Sequence, residues 1–184
     1  MIEEILEYNK KFIEEKKYED YRTDKYPNKK IAVVTCMDTR LVELLPAALG
    51  FKNGDIKLIK NAGGIITSPF GSAVRSLLIG VYKLNVENIM IIGHKECGAK
   101  IVDGKEVKEL MIQRGIKPEE IETMKYCGVD VETWIGGFES TSKAVMDSVM
   151  LLREHPLMPK DVKIGGYIMD PVTGEIETIV EADI

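Results

Sequence analysis

The run Ile31-Ala32-Val33-Val34 sets apolar residues side by side with no polar residue between them. A strand with one wet face alternates. A strand that does not alternate buries both faces, which happens almost only in parallel sheets coated by helices on either side. Similar short runs recur: Ile56-Lys57-Leu58-Ile59-Lys60, Asn88 to Ile92 and Lys163 to Met169 each predict a strand. Helical patterns separate them. Leu41 to Leu49 carries Pro46 and stops at Gly50, and after Ser68-Pro69 the residues Ala73, Val74, Leu77, Leu78 and Val81 recur at helical spacing up to Leu84. Two short helices are expected between 103 and 125 and a longer one from about Ser140 to Arg153. Asp170-Pro171-Val172-Thr173-Gly174 then turns the chain back into Glu175 to Val180, a hairpin signal. The expected fold is α/β, a mostly parallel β-sheet flanked by helices with an antiparallel C-terminal hairpin extension.

With 184 residues, 45% of them hydrophobic, one domain covering 1–184 is expected, with a helical arm over 1–28 and an α/β core over 29–184. The arm is amphipathic: Ile2, Ile5, Leu6, Phe12 and Ile13 form one apolar stripe among Glu and Lys on a helix expected to run to residue 19. Such a stripe has to be buried somewhere. A net charge of −5 gives no basic face for nucleic acid or an anionic membrane, so the partner is expected to be a small molecule. No apolar stretch approaches the roughly 20 residues that cross a bilayer, and the acidic start Met1-Ile2-Glu3-Glu4 is unlike a signal peptide, so the expected location is cytoplasmic. Cysteines at 36, 97 and 127, an odd number, fit metal or catalytic use in a reducing compartment better than a disulfide framework.

Cys36 lies just past one predicted strand and His94 just past another, with Cys97 at a local chelate spacing beyond His94. In open parallel sheets ligands bind beyond the carboxyl ends of the strands, where the strand order reverses, so the two segments can meet there. Taken singly, a buried cysteine or a lone histidine is more often structural. Together Cys36, His94 and Cys97 make three metal ligands, the number a catalytic zinc has when its fourth position is left to water or substrate. Two thiolates with an imidazole favour zinc, one per subunit, over cobalt or iron. Asp38 and Arg40, two apart, can pair, which keeps the carboxylate ionised and directed. Asp38 can then accept a proton from a zinc-bound hydroxide or, if released by Arg40, swing in as a fourth ligand. Cys127 is expected in the core or a loop; as a fourth ligand it would close the site and make it structural. His155, before Pro156, is expected at the surface. The five-residue spacing of a phosphatase Cys–Arg loop is absent, as are a Cys-x-x-Cys pair and a Walker loop.

Cys-x-Asp-x-Arg after the first strand, Asn-Ala-Gly-Gly after the second and His-x-x-Cys-Gly after the third resemble the β-class carbonic anhydrases, and the short length is most similar to their small archaeal-type branch. The likeness runs from about Lys29 to the end. It implies zinc on Cys36, His94 and Cys97, an Asp38–Arg40 catalytic dyad, and a homodimer or higher homo-oligomer whose N-terminal helix crosses a partner subunit. The implied reaction is reversible hydration of carbon dioxide to bicarbonate and a proton through zinc hydroxide. Hydrolysis of carbonyl sulfide or carbon disulfide on the same scaffold, or a non-catalytic zinc dimer, are the alternatives. The turn Asn61-Ala62-Gly63-Gly64 either shapes the substrate pocket with its backbone amides or is a tight turn that needs glycine. Lys95 and Glu96 depart from the family pattern, in which a small hydroxylated residue often follows the histidine.

Overall fold

The computed structural model describes residues 1–182; the last two positions of the expected 1–184 domain lie outside them. Five strands form one sheet: β1 (Ile31–Cys36), β2 (Ile56–Asn61), β3 (Asn88–His94), β4 (Lys163–Met169) and β5 (Ile176–Val180). Their order is β2-β1-β3-β4-β5. The first four run parallel and β5 is antiparallel to β4. This is the α/β architecture expected, C-terminal hairpin included.

Among the described residues seven α-helices join or flank the strands: α1 (Ile2–Glu14), α2 (Leu41–Ala48), α3 (Ser72–Leu84), α4 (Gly104–Gln113), α5 (Pro118–Tyr126), α6 (Val131–Ile135) and α7 (Thr141–Glu154). The unbroken apolar character of β1 has the cause expected of it, since Ala32 to Cys36 are all buried. Ala32, Val34, Ile89, Ile91 and Ile164 face one core, filled from outside by Val74 and Leu77 of α3 and Val145, Val149 and Leu152 of α7. Val33, Ile92 and Met169 face a second, filled by Leu41 and Leu45 of α2. Cover on this second face is thinner toward the β2 edge, where Leu58 is exposed.

Several boundaries differ from expectation for identifiable reasons. The first helix stops at Glu14 rather than near residue 19, because Lys16 turns left-handed (φ 55°) and the chain folds back through a 3₁₀ turn, Lys17–Tyr21. That reversal sets the Tyr21 ring 6.1 Å from Phe12. No residue of α1 is buried. Helix α3 begins at Ser72, after a Gly71 cap, rather than at Ser68-Pro69. The five-residue α6 went unforeseen; Asp130 caps it by accepting from the Thr133 N–H at 3.0 Å. His155 is a correction: it is buried, its Nε2 2.9 Å from the Pro69 carbonyl and its Nδ1 accepting from the Leu157 N–H at 3.1 Å. It ties the segment before α3 to the end of α7.

Candidate metal centre

Strand β1 pairs with β2 on one side and β3 on the other, so the connection out of the sheet reverses direction between β1 and β3. Cys36 ends β1 and His94 ends β3, at the carboxyl end of that junction. Thr35 Oγ1 donates to the Ile92 carbonyl at 2.9 Å and closes the two strand ends on each other. Gly93 lets α7 approach there, since a Cβ would lie 2.8 Å from Thr141 Cγ2. The turn 61–64 presses on the same place. Gly64 has φ +65°, and a Cβ on it would sit 2.6 Å from the Cys36 amide nitrogen and 2.8 Å from the Thr35 carbonyl carbon. Only glycine fits there, on both counts. Asn61 closes its turn by donating to the Ile65 carbonyl at 2.8 Å and accepting from its N–H at 3.2 Å.

The ligand atoms of Cys36, His94 and Cys97 all lie within 4.8 Å of one another, and all three residues are buried. The two sulfurs are 3.8 Å apart. Thiolates at about 2.3 Å from one tetrahedral zinc stand about 3.8 Å apart, so the pair is spaced for such an ion. His94 Nδ1 faces the Lys95 carbonyl at 2.8 Å, which leaves Nε2 buried without a hydrogen-bond partner. An orphaned buried nitrogen is costly unless something coordinates it. Burial pushes the Cys97 thiol up, and the nearby Cys36 adds to the shift; two buried thiolates side by side call for a cation. The donor set fits a divalent metal.

Asp38 and Arg40 meet in a two-pronged contact: Nε donates to Oδ1 at 3.1 Å and Nη2 to Oδ2 at 2.9 Å. The Arg40 amide also donates to Oδ1 at 2.9 Å. These bonds, the guanidinium first, hold the Asp38 carboxyl down at about 2. Its Oδ2 is 3.7 Å from His94 Nε2, so the carboxylate borders the ligand cluster. Arg40 leans the other way onto Glu96, its Nη2 3.5 Å from that carbonyl and its Nη1 3.9 Å from the carboxylate. Cys127 stands exposed at the end of α5, outside the ligand group. Lys95 points away from the ligands to Asp170. The contacts of Lys95 and Glu96 were invisible to motif reading, because their partners lie on segments far away in the sequence.

A family model described as carbonic anhydrase matches residues 31–176. The chain is 35% identical to the β-carbonic anhydrase isoform I of Trichomonas vaginalis, with a TM-score of 0.86 over 100% of this chain and 99% of that one. The chain belongs to the β-class carbonic anhydrases. YtiB of Bacillus subtilis, which carries carbonic anhydrase as a provisional name, is 48% identical over 98% of this chain and 96% of its own length. A carbon disulfide hydrolase of Acidianus sp. is 32% identical over 86% of this β-class carbonic anhydrase and 83% of its own length. The family is one of lyases, and the Cys-His-Cys cluster of this member lies within the matched span.

Proposed function

We propose that this protein catalyses the reversible hydration of carbon dioxide to bicarbonate and a proton, using one zinc ion per subunit held by Cys36, His94 and Cys97. The observation that carries the reading is a buried three-ligand cluster bordered by a carboxylate that an arginine fork keeps ionised. When bound, zinc supplies Lewis-acid activation of a water molecule near neutral to alkaline pH. His94 contributes Nε2, freed by the Nδ1 contact to the Lys95 carbonyl. Cys36 and Cys97 bring two negative charges, so activation is weaker than with three neutral imidazoles and turnover rises toward alkaline pH. Asp38, ionised throughout that range, accepts the nucleophile's remaining proton in a hydrogen bond and turns its lone pair toward substrate. Arg40 holds that carboxylate in place beside the ligand cluster; without that hold Asp38 would be free to serve as a fourth ligand. The turn of Asn61, Ala62, Gly63 and Gly64, whose Gly64 packs against the Cys36 amide, would shape the substrate pocket.

The working unit is a homodimer or larger assembly in which the arm of residues 1–28 lies across a partner. Ile2, Ile5, Leu6 and Ile13 are exposed on a helix with no buried residue, which supports this. Three unbridged cysteines suit a reducing, cytoplasmic setting. A second reading is hydrolysis of carbon disulfide, the activity in the name of the Acidianus relative, or of carbonyl sulfide by the same attack on a linear electrophile.

Stopped-flow hydration of carbon dioxide by zinc-loaded protein, from neutral to alkaline pH, tests the proposal. Turnover that rises with pH and vanishes in Cys36→Ser supports it. Zinc-loaded protein that is silent on carbon dioxide but hydrolyses carbon disulfide would move the assignment to the second reading.

A further inference from the structure

His94 can offer Nε2 to a cation only while its proton sits on Nδ1, and that tautomer needs an acceptor opposite Nδ1. The acceptor is the carbonyl of the next residue, Lys95, at 2.8 Å. Its direction is therefore set by the peptide that leaves β3 and opens the His94–Cys97 loop. The loop then bends sharply, because Glu96 takes a left-handed φ of 52°, a conformation uncommon for a residue with a side chain. Something outside the loop has to hold it.

Two contacts fix Lys95. Its N–H donates to the Met169 carbonyl at 3.0 Å, extending the β3–β4 pairing by one residue. Its ammonium pairs with Asp170 Oδ2 at 3.1 Å, in a field to which Glu175 and Glu177 add. Asp170 is itself a fixed anchor. Its Oδ1 accepts from the Val172 N–H at 2.9 Å and the Thr173 N–H at 3.1 Å. Its own N–H donates to the Glu175 carbonyl at 2.8 Å, and its carbonyl accepts from Gly174 at 2.9 Å.

We infer that the Lys95–Asp170 ion pair clamps the metal-ligating loop to the turn between β4 and β5, so that both are positioning residues that keep the Lys95 carbonyl on His94 Nδ1. This rests on the zinc site proposed above. A partly exposed ion pair adds little to global stability, so the consequence is metal retention rather than folding. Loss of outer partners of a metal-binding histidine typically costs 10–100-fold in affinity. With the carbonyl itself retained, the lower end of that range, about tenfold, is expected.

The test is zinc release into a chelator from zinc-loaded parent, Lys95→Met, Lys95→Arg and Asp170→Asn proteins. The visible spectrum of each cobalt-substituted protein and its urea midpoint are recorded alongside. The clamp predicts release about tenfold faster in Lys95→Met and Asp170→Asn, altered cobalt bands, a nearly unchanged urea midpoint in Lys95→Met, and recovery toward the parent in Lys95→Arg. Release rates and cobalt spectra matching the parent in both charge-removing variants would overturn the clamp while leaving the zinc site standing. Faster release that merely tracks a lowered urea midpoint, equally in Lys95→Arg, would also overturn it. A parent that binds no zinc sinks the clamp and the metal reading together.

Discussion

At the residue scale the Asp38–Arg40 fork has the clearest functional consequence. A carboxyl held at about 2 by a guanidinium stays an acceptor across the working range and never acts as an acid there. Asp38→Asn keeps the size of the side chain but replaces one acceptor oxygen with a donor. Zinc content, measured by elemental analysis, should stay at parent level, since the three ligands are untouched. The rate constant kcat for hydration should fall by about 10²-fold or more, the usual scale for a positioned proton-transfer group. The candidate donors were legible in the chain only as a set: Cys36, His94 and Cys97 stand at or just past predicted strand ends, and few side chains bind soft divalent metals. The orphaned Nε2 of His94 was not legible, because it depends on which way one carbonyl points.

At the scale of elements the site depends on how closely the 61–64 turn fits the ends of β1 and β3. Gly64→Ala would force a Cβ against the Cys36 amide and impose a left-handed conformation on a residue with a side chain. The obstructing atoms are backbone and cannot rotate away. A loss of about 1–3 kcal/mol in urea unfolding is expected from the conformation alone, with more from the clash. Zinc affinity should fall too, because Cys36 is the residue displaced. The strands were readable from their apolar runs, since burial on both faces leaves a composition signal. Helix ends were less so: the stop of α1 at Glu14, ahead of left-handed Lys16, and the short α6 are set by a turn and an aspartate cap. His155 illustrates the same limit, because its burial comes from contacts with Pro69 and Leu157 rather than from its own neighbourhood in the chain.

At the scale of the whole molecule two properties follow from what the fold leaves exposed and what it ties down. Among the described residues none of α1 is buried, and Ile2, Ile5, Leu6 and Ile13 of its apolar stripe stay exposed. If this stripe meets a partner subunit as proposed, Ile5→Glu combined with Leu6→Glu should dissociate the assembly in sedimentation experiments while the far-ultraviolet circular dichroism of the core persists. The acid limb of stability should carry Asp170, whose carboxyl is held at about 2, first by the Val172 and Thr173 amides and then by Lys95. A carboxyl that titrates lower in the folded state stabilises it fully above the ordinary value of about 4 and loses that contribution as pH falls through about 2. Asp170→Asn should therefore flatten urea stability over that interval. Lys95→Met should flatten it only in part, since the amide bonds remain. By itself the sequence determined the fold class and put forward the candidate metal donors and the Asp38–Arg40 pair, because burial leaves apolar runs and metal chemistry favours a set of residue types that can be recognised together. The tertiary structure alone decided the strand order that brings Cys36 to His94, the fit of Gly64 beneath them and the pairing of Lys95 with Asp170. Those depend on distances between segments far apart in the chain, which only packing sets.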